Sequence, residues 1–211
     1  MKHLLIIGAR GWGREIYNLL PDCIGYLTEF DVKGFLDDKS DALEGFSGYP
    51  KIIDSVENYL PQEDDVFICA LGDVNWKKHY SEIILAKGGE FITLMHKTAN
   101  VNRNSKIGHG CIITKDVNIS CDIKIGNFVT FQPLSTLGHD VVVGDYCHIG
   151  WGCFMGGYTS LGDLVTVHPG AIILPHIKVG DKSTIGAGSV VIKKVKEEET
   201  VFGNPARKIV Y

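Results

Sequence analysis

His139 is followed directly by Asp140, so an imidazole, the side chain most often used as a general base, stands beside a carboxylate able to orient it. That pairing suits removal of a proton from a nucleophile. A second constellation lies near the start of the chain, where Gly8, Gly11 and Gly13 spell G-x-x-G-x-G. Glycines let a backbone come close to a phosphate, and a helix opening there would offer free N–H groups. The order differs from the dinucleotide fingerprint G-x-G-x-x-G, although Asp37, 24 residues past Gly13, stands where an acid could hold a ribose. The six cysteines (Cys23, Cys69, Cys111, Cys121, Cys147 and Cys153) contain no C-x-x-C pair. They read as reduced, mostly buried thiols rather than as disulfides or zinc ligands. His3 and His79 read as surface residues, and His109, His168 and His176 as turn residues.

These groups need elements to position them, and the second half of the chain supplies a regular one. Every sixth residue from Val101 to Val191 is large and apolar, sixteen in a row without insertion or deletion. The residue after each is Gly in nine cases, and the residue four after each is small or aliphatic, as at Cys111, Val129, Ser135, Val141, Cys147 and Cys153. A helix with 3.6 residues per turn would sweep such a pattern around its surface. Short strands joined by turns keep positions i and i+4 on one face, with the Gly at i+1 read as freedom at the corner. A six-residue period is the mark of a parallel β-helix, about five coils at three hexads each.

Residues 1–95 alternate strand and helix: strands at Leu4–Ile7, Val32–Leu36, Val66–Ala70 and Phe91–Leu94, a loop over Gly8–Gly13, and helices from Arg14 and over Asn75–Lys87. That alternation predicts a parallel sheet with ligands at the C-terminal ends of its strands. Two domains follow, 1–95 and 96–211: an α/β Rossmann-like domain, then an all-β left-handed parallel β-helix. Formal charge is −4, which gives no basic field for a nucleic acid, and no apolar run reaches the 18 residues of a membrane span.

The hexads, together with Gly203-Asn204-Pro205-Ala206-Arg207, resemble the hexapeptide-repeat acyltransferases, whose last coil is followed by Gly-x-Pro-Ala-(Arg/Lys). With Gly8–Arg14, Gly34-Phe35-Leu36-Asp37-Asp38, Ala70-Leu71-Gly72-Asp73 and His96, the whole chain resembles the bacterial sugar acetyltransferases of bacillosamine-type and sialic-acid pathways. The resemblance implies a cytoplasmic homotrimer with active sites between subunits. It would transfer acetyl from acetyl-CoA, without a metal, to the 4-amino group of a UDP-linked amino-deoxy sugar. By the same resemblance Arg10, Gly11 and Trp12 line the nucleotide phosphates and sugar, Asp37 and Asp38 meet uracil and ribose, and Leu71 and Gly72 close the pocket. His139 is the base, Asp140 its partner and the Gly157 N–H the oxyanion donor, with His148, Pro169 and Ala187 along acetyl-CoA and Gln132 on the sugar. This chain departs from the family in having Trp12 for His, Asp140 for Glu and Gln132 for Asn.

Other functions compete. O-acetylation of sialic acid or a related sugar needs the same base, and a non-catalytic nucleotide-sugar binder needs only the first domain. A β-helix carbonic anhydrase uses two His five residues apart, whereas the close pairs here, His139/His148 and His168/His176, are nine and eight apart. A full NAD-dependent oxidoreductase does not fit in about 95 residues.

Overall fold

Leu4, Leu5, Ile6 and Ile7 are each at most 1% exposed, a run without alternation that only a strand covered on both faces can have. They end β1 (Lys2–Ile7), the centre of a five-stranded parallel sheet with β2 (Phe30–Leu36), β3 (Ile52–Asp54), β4 (Asp65–Cys69) and β5 (Glu90–Phe91). The computed structural model describes residues 1–209, which divide into two compact units, Met1–Lys97 and a second beginning at Thr98. In the first, the strand order is β3-β2-β1-β4-β5. The chain winds outward from β1 to β3 and then crosses back to β4, so the strand order reverses between β1 and β4, where Ile7 pairs with Cys69. A crevice opens at the C-terminal ends of strands at such a reversal.

Helix α1 (Gly11–Leu19) begins three residues earlier than the sequence predicts, which leaves only Gly8–Arg10 as loop. The reason is packing. A Cβ on Gly13 would overlap the Gly8 carbonyl oxygen, so Gly13 lets the first turn lie directly on the end of β1. Helix α2 (Val74–Ala86) is capped by the Asp73 carboxylate, which accepts the N–H groups of Asn75 and Trp76 at 2.9 and 3.0 Å. Strand β3 is absent from the sequence reading because Ile52-Ile53 is too short a run to show a period. At the opposite end of the sheet Asp65, 4% exposed, accepts Lys33 Nζ at 2.7 Å, the Tyr59 hydroxyl at 2.6 Å and the Gln62 N–H at 2.8 Å.

In the second unit each hexad forms one two-residue strand, from Asn100–Val101 to Val190–Val191. Successive strands on a face pair in parallel eighteen residues apart, as Val143 with Leu161 and Leu137 with Met155. Fourteen of the sixteen repeat residues are buried, and Val101 and Ile107, on the first coil, are half-buried. The i+4 residues complete the interior, and at several of them the side chain also makes a hydrogen bond. Cys111, Cys147 and Cys153 direct their thiols at the carbonyls of Gly126, Gly162 and His168, at 3.3, 3.1 and 3.2 Å. Ser135 donates in the same way to Gly150 O at 2.9 Å. Each thus donates to a corner carbonyl fifteen residues on.

The glycines at i+1 also have a different job from the predicted one. Positive φ falls at i+3 in fourteen successive hexads, from Gly110 to Gly188, and ten of those residues are not glycine. The i+1 glycines are needed because coils stack closely: a Cβ on Gly144 would stand 2.6 Å from the carbonyl carbon and oxygen of Gly162. Gly144→Ala is therefore expected to cost about 1–3 kcal/mol by overpacking. Gly152→Ala meets no atom within 4 Å and carries only the penalty of its φ of +63°, about 1–2 kcal/mol. Urea unfolding of both variants checks the ordering.

The coil continues past the last hexad. Val195 and Val201 take the inward positions opposite Val179 and Ile185, sixteen residues away rather than eighteen, and are 2% and 6% exposed. The two-residue shortening breaks the reading frame after Val191, which hides this last turn from a strict period.

Candidate active site

The crevice between β1 and β4 is a cavity of about 460 Å³. It brings together Arg10, Trp12, Asp37, Asp38, Leu71 and Gly72, six of the residues picked out in the sequence. Gly11 opens α1 beside it, where a side chain would meet nothing within 4 Å, and the same holds at Gly72. Packing does not demand glycine at either place, so their bareness leaves the backbone open to a ligand. The N-cap residue of α1, Arg10, makes no side-chain cap, and no acid stands in the first turn. This uncapped end and the Arg10 guanidinium favour an anion.

Asp37 does not simply face the cavity. It accepts the Ala9 N–H at 2.8 Å and the Lys39 N–H at 2.9 Å, tying the end of β2 to the glycine loop. Asp38 accepts the Val56 N–H at 3.4 Å and the Tyr80 hydroxyl. Burial works to raise the Asp38 carboxyl, but hydrogen bonds from Tyr80, Glu57 and the Val56 N–H overcome it and hold it below the usual carboxylate value. Burial, reinforced by Asp38, pushes the Tyr80 phenol and the Glu57 carboxyl up. The sequence reading passed over Trp76 and Tyr80, which also line the cavity. Their i, i+4 spacing on a predicted helix was the available signal, since it puts both rings on one face.

In the second unit the His139 Nδ1 lies 2.8 Å from Asp140 Oδ2. With Nδ1–H donating to the carboxylate, Nε2 keeps its lone pair for a proton. Asp140 reaches back because it adopts the left-handed corner conformation, φ +58°. Gly157 stands one coil beyond His139, and a Cβ there would be 2.8 Å from His139 Cε1 and 2.9 Å from Nε2. No acceptor among the described residues takes the Gly157 N–H. The corner therefore combines an oriented imidazole, an available N–H and no side chain between them. The edge of the His139 ring meets Tyr158, centroids 5.1 Å apart, and Tyr158 stacks on His176 at 5.0 Å and 8°.

The remaining residues lie elsewhere on the same β-helix. Pro169 and Ala187 follow successive strands of another face, one coil apart and exposed. His148 is buried in the strand His148–Ile149, between Thr130 and Thr166 of that same face. It is thus on a different face from Thr136–Leu137, the strand that precedes His139. Gln132 Oε1 accepts the Trp151 N–H at 3.1 Å and so caps a corner. Among the described residues no group of three or more His, Cys, Asp or Glu is placed to hold a metal ion.

A doubly wound nucleotide-type sheet followed by a hexapeptide β-helix defines a class, and the chain is similar, unit by unit, to hexapeptide-repeat transferases that carry a PglD-type first domain. Residues 3–84 match the PglD N-terminal domain and residues 158–193 match the bacterial transferase hexapeptide (six repeats). The chain is 31% identical over 117 residues to UDP-N-acetylbacillosamine N-acetyltransferase of Bacillus subtilis (strain 168). That match covers 54% of this chain and about half, 51%, of the relative. The acetyltransferase domain of PglB from Neisseria gonorrhoeae FA1090, solved in complex with acetyl coenzyme A, superposes with a TM-score of 0.89. Its identity is 27%, with 99% of each chain covered. Perosamine N-acetyltransferase from Caulobacter crescentus, in complex with CoA and GDP-perosamine, shares the fold at a TM-score of 0.90 and 21% identity, covering 100% of this chain and 98% of that one.

Proposed function

We propose that this protein transfers acetyl from acetyl-CoA to the 4-amino group of a UDP-linked amino-deoxy sugar, with His139 as general base. The single observation that carries the reading is the corner where His139, oriented by Asp140, lies against Gly157 with its N–H available. The sugar nitrogen attacks the thioester carbonyl carbon, and its proton passes to His139 Nε2 as the C–N bond forms. Oxyanion charge is met by the Gly157 N–H. Collapse of the tetrahedral intermediate breaks the C–S bond, and the CoA thiolate takes the proton from His139. The step needs no cysteine, and Cys111, Cys147 and Cys153 are buried and turned inward, so none of these three is a nucleophile.

Arg10, Gly11 and Trp12 would face the diphosphate and sugar, and Leu71 and Gly72 the mouth of the pocket. Asp37 and Asp38 would serve the nucleoside. Pro169 and Ala187 would line the CoA arm, His148 its thioester end and Gln132 the sugar. Since His139 and the Pro169–Ala187 corner follow different faces of one β-helix, base and thioester would meet between two copies of the chain. Phe154 and Ile172, 42% and 38% exposed and paired across adjacent coils, give that face an apolar surface for a homotrimer. No helix among the described residues is long and apolar enough to cross a membrane. A CoA thioester as donor suits a cytoplasmic reaction.

The test is product mass after incubation with acetyl-CoA and a UDP-linked 4-amino-4,6-dideoxy sugar. A gain of one acetyl group is expected. Acetylation of sialic acid in place of the amino sugar would refute the N-acetyl assignment while keeping the fold.

A further inference from the structure

The cavity of the first unit is electrically and chemically two-sided. Arg10 is the one basic residue among those that line it, and it stands beside the uncapped start of α1. Asp38, bonded to Tyr80 of α2, and Asp73, the cap of α2, supply negative charge on the other side, with Glu57 bonded to Asp38, whereas Asp37 is held at the glycine loop by the Ala9 N–H. A diphosphate is therefore drawn to the α1 end and repelled from the Asp38 end. Whatever part of a nucleotide occupies the Asp38 end must be uncharged.

That end is walled by aromatic rings. Trp76 stacks on Tyr80 with centroids 5.5 Å apart and an interplanar angle of 24°. The edge of His79 meets Trp76 at 5.5 Å and 77°. Each partner is fixed in turn. The Tyr80 hydroxyl is held by Asp38, which is anchored on the Val56 N–H, and the Trp76 backbone N–H is capped by Asp73, which fixes the helix turn that carries the ring. Even so, Trp76 is 55% exposed while lining the cavity. A large apolar ring held rigid from behind and left open in front is preorganised to receive a flat partner.

We infer that Trp76 is the stacking platform for the nucleobase, a specificity-determining residue of the nucleotide site, with Tyr80 and Asp38 as the positioning residues that hold it. Asp38 then acts through Tyr80 and Trp76 rather than mainly by direct contact with the base. This inference rests on the nucleotide-sugar reading above.

Calorimetric titration of the full chain tests it, with UDP, GDP, CDP, ADP and dTDP as nucleotides and ribose 5-phosphate as a base-free probe. Base–aromatic stacking contributes about 1–3 kcal/mol, so Trp76→Ala should weaken the Kd for the preferred nucleotide by about 5- to 150-fold. Trp76→Phe should restore most of the affinity. Ribose 5-phosphate, with no base to stack, should bind the wild type and Trp76→Ala equally within twofold. Because Trp76 is half in solvent, the Ala variant should keep the wild-type Tm within a few degrees. A nucleotide Kd within twofold of wild type in Trp76→Ala overturns the platform and leaves the nucleotide reading standing. A parallel loss of ribose 5-phosphate binding also overturns it, since the defect would then not be in the base. Failure of all five nucleotides to bind the wild type removes the nucleotide reading itself and the platform with it.

Discussion

His139→Ala lowers kcat by about 10²–10⁴-fold, the usual contribution of a positioned acid–base group, with small changes in KM for acetyl-CoA and the sugar. The expectation follows from the geometry of the ring. Asp140 holds Nδ1, so Nε2 is the nitrogen left to accept a proton, and it lies on the side of Gly157. Removing the imidazole leaves the Gly157 N–H and both binding surfaces in place, so the loss should fall on the chemical step. The side chain is 53% exposed, and its removal should change stability by no more than about 0.5 kcal/mol. Asp140→Asn should lose less, because an amide oxygen can still accept from Nδ1–H but no longer stabilises the imidazolium. Steady-state kinetics with quantified product, beside a melting curve for each variant, checks the claim. A His139→Ala enzyme within threefold of wild-type kcat would remove His139 as the base.

Asp65→Ala destabilises the first unit by about 3–5 kcal/mol, the cost of breaking a buried ion pair from one side. The Asp65 side chain is 1% exposed and accepts from Lys33, Tyr59 and the Gln62 N–H, so its loss takes the acceptor from the Tyr59 hydroxyl and the Gln62 N–H and leaves the Lys33 charge with only neutral partners, Tyr59 and Gln62 Oε1. Burial alone would raise its carboxyl, but these hydrogen bonds prevail and its pKa falls below the ordinary value. The sign follows from linkage. A carboxylate whose pKa is lower in the folded chain contributes fully above its unfolded pKa, and that contribution is lost as pH falls through the lowered folded value. Burial lowers the Lys33 pKa and the bonds to Asp65 and Tyr59 raise it, with a net rise. Its contribution is present at neutral pH and lost only as pH climbs through the raised folded value. Urea unfolding should therefore separate wild type from Asp65→Ala at pH 7, with the gap shrinking as the solution is acidified into the lower carboxylate range. A gap that stays constant down to pH 2 would show that the carboxylate charge is not what the fold uses.

The sequence by itself determined most of the architecture. An ungapped period of six, with apolar residues at i and small ones at i+4, has few solutions other than a β-helix, because each coil can bury its inward face only against the next. The alternation from Leu4 to Ala86 likewise required a parallel sheet with its crevice at the strand ends. His139 next to Asp140 was legible because adjacency in the chain becomes contact when the corner turns between them. What the tertiary structure decided lies at separations the local pattern does not carry. Gly144 and Gly138 are glycine because the next coil passes close by, while the left-handed residues fall two positions later. Gly157 becomes part of the His139 corner only because eighteen residues make one coil. Asp37 turns out to hold the glycine loop, and Trp76 and Tyr80, unremarked in a plain helix, form a wall of the pocket because α2 packs on β4, which borders the same crevice. Periodicity reports which face of an element is buried, and stacking distance and crevice geometry settle which buried or exposed groups meet.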